Sequence, residues 1–332
     1  KSEQKDRIML DKVKVAAAQI VPAFMKKEAT LQRVCDAIQK AAANGAQLVV
    51  FPETLIPGYP YWRSLQPVSR WSELMVEYQK NALLIPSEDT ARICEAAKKA
   101  NIICAVGCTE LSDRAGSQTL YNTILFVDNY GKIMGRHRKL MPTHAERTVW
   151  GMGDASDLRV FDTDIGRIGG LVCFEHHITL VKAALAIKGE EIHCAVWPGW
   201  WVQERHPGIK RRWRPGDPKD LCDITCAIRE YAFETQCFVV SASLFIPSEE
   251  LPEESRGFDI AAGGSAIVNP TGLYLAEPVL DREEIVYATL NADDRRAMKA
   301  YFDAVGHYSR WDVVNLSVRE EAWEPVVPIK RG

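Results

Sequence analysis

Three stretches of this chain each place a reactive side chain directly after a run that reads as a strand. They are VVFPE with Glu53, GRHRKLMPTHAE with Lys139 and Glu146, and GGLVCFE with Cys173. A cysteine thiolate is the natural nucleophile where carbon is attacked without a metal or cofactor, but its proton must first be removed. A carboxylate kept in an apolar site, with its pKa raised, can take that proton near neutrality. A cation or oriented N–H donors must then stabilise the charge that develops on the attacked group. Glutamate, lysine and cysteine together supply all three functions. Taken singly each has an ordinary reading, the cysteine as a buried structural thiol and the charged residues as solvated strand ends.

The elements that would position these groups alternate along the chain. VKVAAAQI (13–20) reads as a strand, and Leu31, Val34, Cys35, Ile38, Ala41 and Ala42 repeat at helical spacing up to Asn44-Gly45. LVVF (48–51) suits a strand buried on both faces, so that Glu53 falls at a carboxyl end, where α/β sheets tend to hold ligands. A helix over about 87–100 should start at Ser87, with Glu88 and Asp89 in its first turn. Strands follow at 102–110 and 123–128, the second closed by a turn at Asn129-Tyr130-Gly131. FDTDIGRIGGLVCF reads as a hairpin whose second strand, 168–173, delivers Cys173. Beyond it come a helix at about 177–188, a strand at 193–197, a helix at about 219–236 and a strand at 238–243. Late strands at 264–268 and 284–290 flank the turn Asn269-Pro270-Thr271-Gly272. The pattern predicts one α/β domain over 1–304 and a C-terminal extension over 305–332.

Composition narrows the classes. The chain has 332 residues, 47% of them hydrophobic and 26% charged, which is ordinary globular usage with room for a large core. A net charge of −3 gives no basic field for nucleic acid or an anionic membrane. The short basic run Lys210, Arg211, Arg212, Arg214 is interrupted by Trp213 and reads as a loop or subunit contact. No stretch approaches the ~18 apolar residues of a membrane span, and KSEQKDRIMLDK lacks the apolar centre of a secretory signal. Nine cysteines without framework spacing point to reduced thiols and a cytoplasmic location. His176 and His177, His193-Cys194 and Cys222-x3-Cys226 do not make a four-ligand metal spacing, so neither a metal nor another cofactor is expected.

In order along the chain, AAAQI, LVVFPETLIPGYP, RHRKLMPTHAERTVWG, GLVCFEHH and AVWPG resemble the motifs of the carbon–nitrogen hydrolase (nitrilase) superfamily. IVNPTGLYLAEP and DAVGHYSRWDV resemble its nitrilase branch more than its amidases or carbamoylases. The resemblance runs from about 12 to 314. It implies a four-layer αββα sandwich of two sheets with helices outside. It makes Glu53 the base, Lys139 the stabilising cation, Cys173 the nucleophile and Glu146 a second active-site glutamate. The backbone N–H of Phe174 would be a further donor to the developing anion. It also implies protomers paired across the helix at 177–188, with dimers building higher homo-oligomers or spiral filaments. The implied substrate is a small organic nitrile, converted to acid and ammonia.

Phe174 stands where nitrilases commonly have Trp, and Thr179 and Trp311 stand where the family often has Pro. These departures bear on substrate range rather than on the chemistry. Tyr59, Tyr61 and Trp62 after Glu53, and Trp197, Trp200 and Trp201 around the WPG turn, are core or pocket wall. Tyr59 and Trp197 are the stronger candidates for substrate contact, favouring an aromatic or arylaliphatic nitrile. Glu175 reads as a support for the active-site loop. An amidase or carbamoylase would use the same three residues, and expulsion of Cys173 from the tetrahedral intermediate would release an amide. A binding protein that keeps the scaffold without turnover is disfavoured by the three intact residues. A cysteine peptidase is disfavoured because the base is a carboxylate.

Overall fold

The computed structural model describes residues 9–64, 67–199, 223–251, 253 and 261–323. Two six-stranded sheets pack face to face. In chain order the strands of the first are β1 (Lys12–Gln19), β2 (Leu48–Val50), β3 (Ile103–Leu111), β4 (Leu120–Val127), β5 (Ile133–Arg138) and β12 (Glu284–Asn291). Those of the second are β6 (Phe161–Thr163), β7 (Gly166–Val172), β8 (Ile192–Trp197), β9 (Phe238–Ser243), β10 (Gly263–Val268) and β11 (Tyr274–Leu280). The spatial orders are β12-β1-β2-β3-β4-β5 and β11-β10-β9-β8-β7-β6. Strands β1, β2 and β3 run parallel, as do β7, β8 and β9, and the flanking strands are antiparallel.

Side-chain alternation explains the layers. On β1, Val13, Val15 and Ala17 enter the core between the sheets. Ala16 and Ala18, one residue out of step, join a second core beneath the helices α1 (Lys27–Ala43) and α3 (Glu88–Ala100). From α1 that core receives Leu31, Val34, Ile38 and Ala41, and from α3 Ile93 and Ala97. The second sheet is covered by α4 (Thr179–Ile187) and α5 (Asp223–Thr235), which contribute Ala184, Leu185, Ile228 and Tyr231 to the first core. Helices therefore cover the outer faces of both sheets, giving the expected αββα sandwich.

Ser87 caps α3 as its position predicts, accepting the Thr90 N–H while Thr90 Oγ1 accepts the Ser87 N–H at 2.8 Å. The late strands behave differently from the sequence reading. The turn after β10 leads into β11, and the strand at 284–291 pairs instead with β1 in the other sheet. β11 carries Pro278 and lies at a sheet edge, where a residue without an N–H is tolerated. Two further helices, α2 (Val68–Lys80) and α6 (Ala292–Tyr301), did not figure among the predicted elements. α2 buries only Leu74 and Tyr78, and α6 only Ala292. Among the described residues no helix is long and apolar enough to cross a membrane. Residues 200–222, with Trp200, Trp201, the basic run at 210–214 and Cys222, lie outside the described residues.

Candidate active site

Glu53 follows β2 on a tight turn, fully buried, with Thr54 beside it at φ +45°. The close approach of β3 to this turn depends on Gly107, where a Cβ would stand 2.0 Å from the Pro52 carbonyl oxygen. Asn122 on β4 donates from Nδ2 to Glu53 Oε1 at 2.6 Å, and its backbone carbonyl accepts the Lys139 N–H at 2.8 Å. One strand residue thus fixes both the carboxylate and the lysine backbone. Lys139 follows β5 directly and is 1% exposed. Its Nζ lies 3.3 Å from Glu53 Oε1 and 2.8 Å from Glu146 Oε2.

Glu146 is set by a short turn, His144–Thr148. Its Oε2 accepts the Thr143 N–H at 2.7 Å, and its Oε1 accepts the Tyr59 hydroxyl at 2.6 Å. Two carboxylates around one ammonium shape the electrostatics. Burial pushes the Glu53 pKa up to about 7; Lys139 opposes the rise and Glu146 adds to it. Burial works against a charged Lys139, but Glu53, Cys173 and Glu146 outweigh it and hold the ammonium protonated. Glu53 Oε2 is buried and has no hydrogen-bond partner among the described residues.

Cys173 comes from the opposite sheet, at the end of β7, and is 7% exposed. It begins a turn over Cys173–His177 with φ +52°, the left-handed region that disfavours a side chain by about 1–2 kcal/mol. Glu175 supports that turn as expected. Its Oε2 accepts the Val172 N–H at 2.8 Å and faces His137 Nε2 at 2.9 Å, and its Oε1 accepts the Leu140 N–H at 2.7 Å. Burial alone would raise the Glu175 pKa, yet His137 and the two N–H donors bring it below the ordinary value. One carboxylate therefore joins the residue before Cys173 to the residue after Lys139, across the two sheets.

The aromatic candidates separate. Tyr59 is buried with its hydroxyl on Glu146, which places it against the charged cluster. Tyr61 OH reaches the Pro198 carbonyl, and Trp62 packs edge-on against Tyr78 in the core. Trp197 is fully buried and stacks on His176 at 4.6 Å between ring centroids. Phe174 is half-buried, its ring edge-on to His177 at 5.3 Å. His176 turns away from solvent, with Nδ1 on the Cys173 carbonyl oxygen at 2.5 Å and Nε2 3.0 Å from His193 Nε2. The sequence reading did not identify Asn122 or His137. Asn122 had one usable signal, a polar side chain that with Thr123 interrupts the run LYNTILFV.

With this geometry established, comparison with known proteins fixes the class. The carbon-nitrogen hydrolase family model matches residues 14–300, and the chain belongs to that family. Within it, the similar curated proteins carry nitrilase names. A nitrilase of Paraburkholderia phymatum is 36% identical over 96% of this chain and 89% of its own length. An arylacetonitrilase of Aspergillus niger is 40% identical over 92% of this chain and 89% of its own. An aliphatic nitrilase of Rhodococcus rhodochrous is 36% identical over 94% and 84%. Among solved structures, Saccharomyces cerevisiae Nit3 has a TM-score of 0.69 at 22% identity, covering 88% of this chain and 95% of its own. The Caenorhabditis elegans NitFhit protein has a TM-score of 0.72 at 18% identity, covering 96% and 70%. These two share the fold.

Proposed function

We propose that the protein is a nitrilase that converts an organic nitrile to a carboxylic acid and ammonia through a covalent adduct on Cys173. The observation that carries this reading is Lys139, buried and bonded to Glu53 and Glu146, and tied through Leu140 and Glu175 to the turn that bears Cys173. That arrangement keeps a base, a cation and a thiol in one buried site.

Glu53 takes the Cys173 proton, and the thiolate adds to the nitrile carbon while the nitrogen gains a proton, giving a thioimidate. Lys139 and the Phe174 N–H stabilise the nitrogen-centred charge. Glu53 then deprotonates a water, which adds to the thioimidate, and Glu146 orients that water. The tetrahedral intermediate expels ammonia and leaves a thioester. A second water releases the acid and restores the thiol, so two waters are consumed per nitrile.

The names of the similar proteins favour nitriles over amides as substrates, and they include both aryl and aliphatic specificities. The Tyr59 ring beside Glu146 favours an aromatic or arylaliphatic nitrile for this chain. The exposed apolar residues Ile178, Leu180 and Ile187 on and beside α4, with Phe233 on α5, support pairing of two copies across this face and growth to higher oligomers. The segment from 305 onward is an additional contact candidate. The buried thiols of Cys104, Cys108, Cys194 and Cys237 suit a reducing cytoplasmic compartment.

The test is ammonia and product analysis on a mixed panel of nitriles and amides, with Cys173→Ala in parallel. Acid and ammonia from a nitrile, lost in the variant, support the reading. Cleavage of amides alone would move the enzyme to the amidase side, and full activity in Cys173→Ala would reject the nucleophile. Accumulation of amide from a nitrile would mean that the tetrahedral intermediate expels sulfur rather than ammonia.

A further inference from the structure

Beneath the Cys173 turn lies a buried chain of polar groups that the reaction above leaves unused. Beyond the contact between His176 and His193, His193 Nδ1 lies 2.8 Å from Glu190 Oε1, and the Tyr231 hydroxyl donates to Glu190 Oε2 at 2.5 Å. None of the four side chains is more than 1% exposed. Their rings are clamped, with His193 stacked on Tyr231 at 3.8 Å between centroids and His176 on Trp197. Glu190 fits over Gly169, where a Cβ would lie 2.2 Å from Oε1.

The donors in this chain can be assigned one by one. A peptide carbonyl only accepts, so His176 Nδ1 carries hydrogen toward Cys173. Burial, with His193 beside it, pushes the His176 pKa well below the ordinary histidine value, so its Nε2 is a bare acceptor. His193 Nε2 must then donate. Between His193 Nδ1 and Glu190 Oε1 a second proton is required, because two lone pairs would otherwise face each other at 2.8 Å.

We propose that Glu190, His193 and His176 are positioning residues: a proton shared by Glu190 and His193 fixes the direction of every donor in the chain, and His176 thereby holds the Cys173–Phe174 peptide in its reactive orientation. In a trans peptide the carbonyl and the next N–H point to opposite sides. Holding the Cys173 carbonyl toward His176 therefore turns the Phe174 N–H away from the β8–α5 interior. A hydrogen bond to the carbonyl also polarises the peptide and strengthens that N–H as a donor. The same bond offsets the left-handed strain at Cys173. This inference rests on the reading of Cys173 as nucleophile.

Two measurements test it. Nitrogen-15 NMR of the histidines in the Cys173→Ala protein, with signals assigned by single replacements, reads the protonation of each ring without turnover. The expected result is a neutral Nδ1–H form of His176 and a hydrogen carried on His193 Nε2. An Nε2–H form of His176 would overturn the proposal. In the second measurement, His176→Ala removes the donor to Cys173, whereas His176→Asn keeps an N–H donor near the Nδ1 position. The alanine variant should lose roughly 10- to 100-fold in kcat with a smaller change in KM, and the asparagine variant should recover most of that loss. Unchanged kcat in His176→Ala, or equal losses in both variants, would overturn it. If the unaltered enzyme cleaves neither nitriles nor amides, the nucleophile reading fails separately, and the ring protonation alone decides the donor directions in the chain.

Discussion

Glu175 accepts the backbone N–H of Leu140 at 2.7 Å, so the turn carrying the thiol is bonded to the residue next to Lys139. The bond spans the two sheets and links elements that come from distant parts of the chain. The relative position of thiol and ammonium is therefore set by one buried carboxylate and its partners, rather than by the sheets alone.

Replacing that carboxylate should be costly. Glu175→Gln leaves His137 without its counter-charge, and removing one partner of a buried pair costs about 3–5 kcal/mol. Glu175, held below its ordinary 4.5, contributes stability that is present above that value and is lost as pH falls through its depressed pKa. Burial opposes a charged His137, but Glu175 raises it above 6.5, so its contribution is full below 6.5 and lost as pH rises through the raised pKa. The penalty in Glu175→Gln, read by urea denaturation, should accordingly be largest between pH 4.5 and 6.5. A penalty that does not vary with pH would contradict the ion pair.

Glu53 sets an acid limb on activity. With its pKa near 7, kcat/KM should fall tenfold per pH unit well below that value, because a protonated Glu53 cannot accept the thiol proton. Glu53→Gln should remove turnover at every pH. The stability term has the opposite trend. A pKa raised from 4.5 to about 7 contributes stability that is full below 4.5 and disappears as pH rises through 7. The residue is therefore catalytically competent in the range where it has ceased to stabilise the fold. A rate profile flat from pH 5 to pH 8 would argue against Glu53 as the base.

The left-handed backbone at Cys173 predicts an asymmetry between two inactive variants. Cys173→Gly and Cys173→Ala both lack the thiol, but only glycine relaxes at φ +52°. The glycine variant should be the more stable by about 1 kcal/mol in chemical denaturation, since the left-handed conformation costs about that much for a residue with a Cβ. Greater stability of the alanine variant would mean that the turn reorganises when the sulfur is lost.

Tyr59→Phe isolates one hydroxyl while leaving the ring in place. It deprives Glu146 Oε1 of a 2.6 Å donor, and an unsatisfied buried acceptor costs about 1–3 kcal/mol. If Glu146 must be held for water to add, kcat should fall about tenfold, the equivalent of ~1.4 kcal/mol, with little change in KM. A large rise in KM at constant kcat would instead assign Tyr59 to substrate contact alone.

Glu53 and Cys173 were legible in the sequence because each follows a short apolar run, and the runs at 48–51 and 168–173 form strands as predicted, whereas Lys139 follows the polar end of β5, Arg136-His137-Arg138. Their mutual distances were not legible, because Glu53 and Lys139 belong to one sheet and Cys173 to the other. The supports were only partly visible. Glu175 lies beside the nucleophile and could be suspected, whereas Asn122 acts from β4 and carries no local signature beyond its polarity. β11 escaped notice because Pro278 breaks the expected strand chemistry, so the strands at 264–268 and 284–290 were read as neighbours of one turn although they lie in different sheets. Such errors arise where tertiary pairing, rather than local pattern, decides the structure.

The pairing of β1 with β12 runs from Lys12 opposite Asn291 to Gln19 opposite Glu284. A ribosome delivers all the groups of the active centre well before it delivers this last strand. Until then β1 has an unpaired edge, and an open edge recruits strands from other chains. A product of premature termination thus carries the thiol, base and ammonium on an unclosed sheet. A chain ending before residue 284 should therefore favour edge-to-edge association over the closed fold.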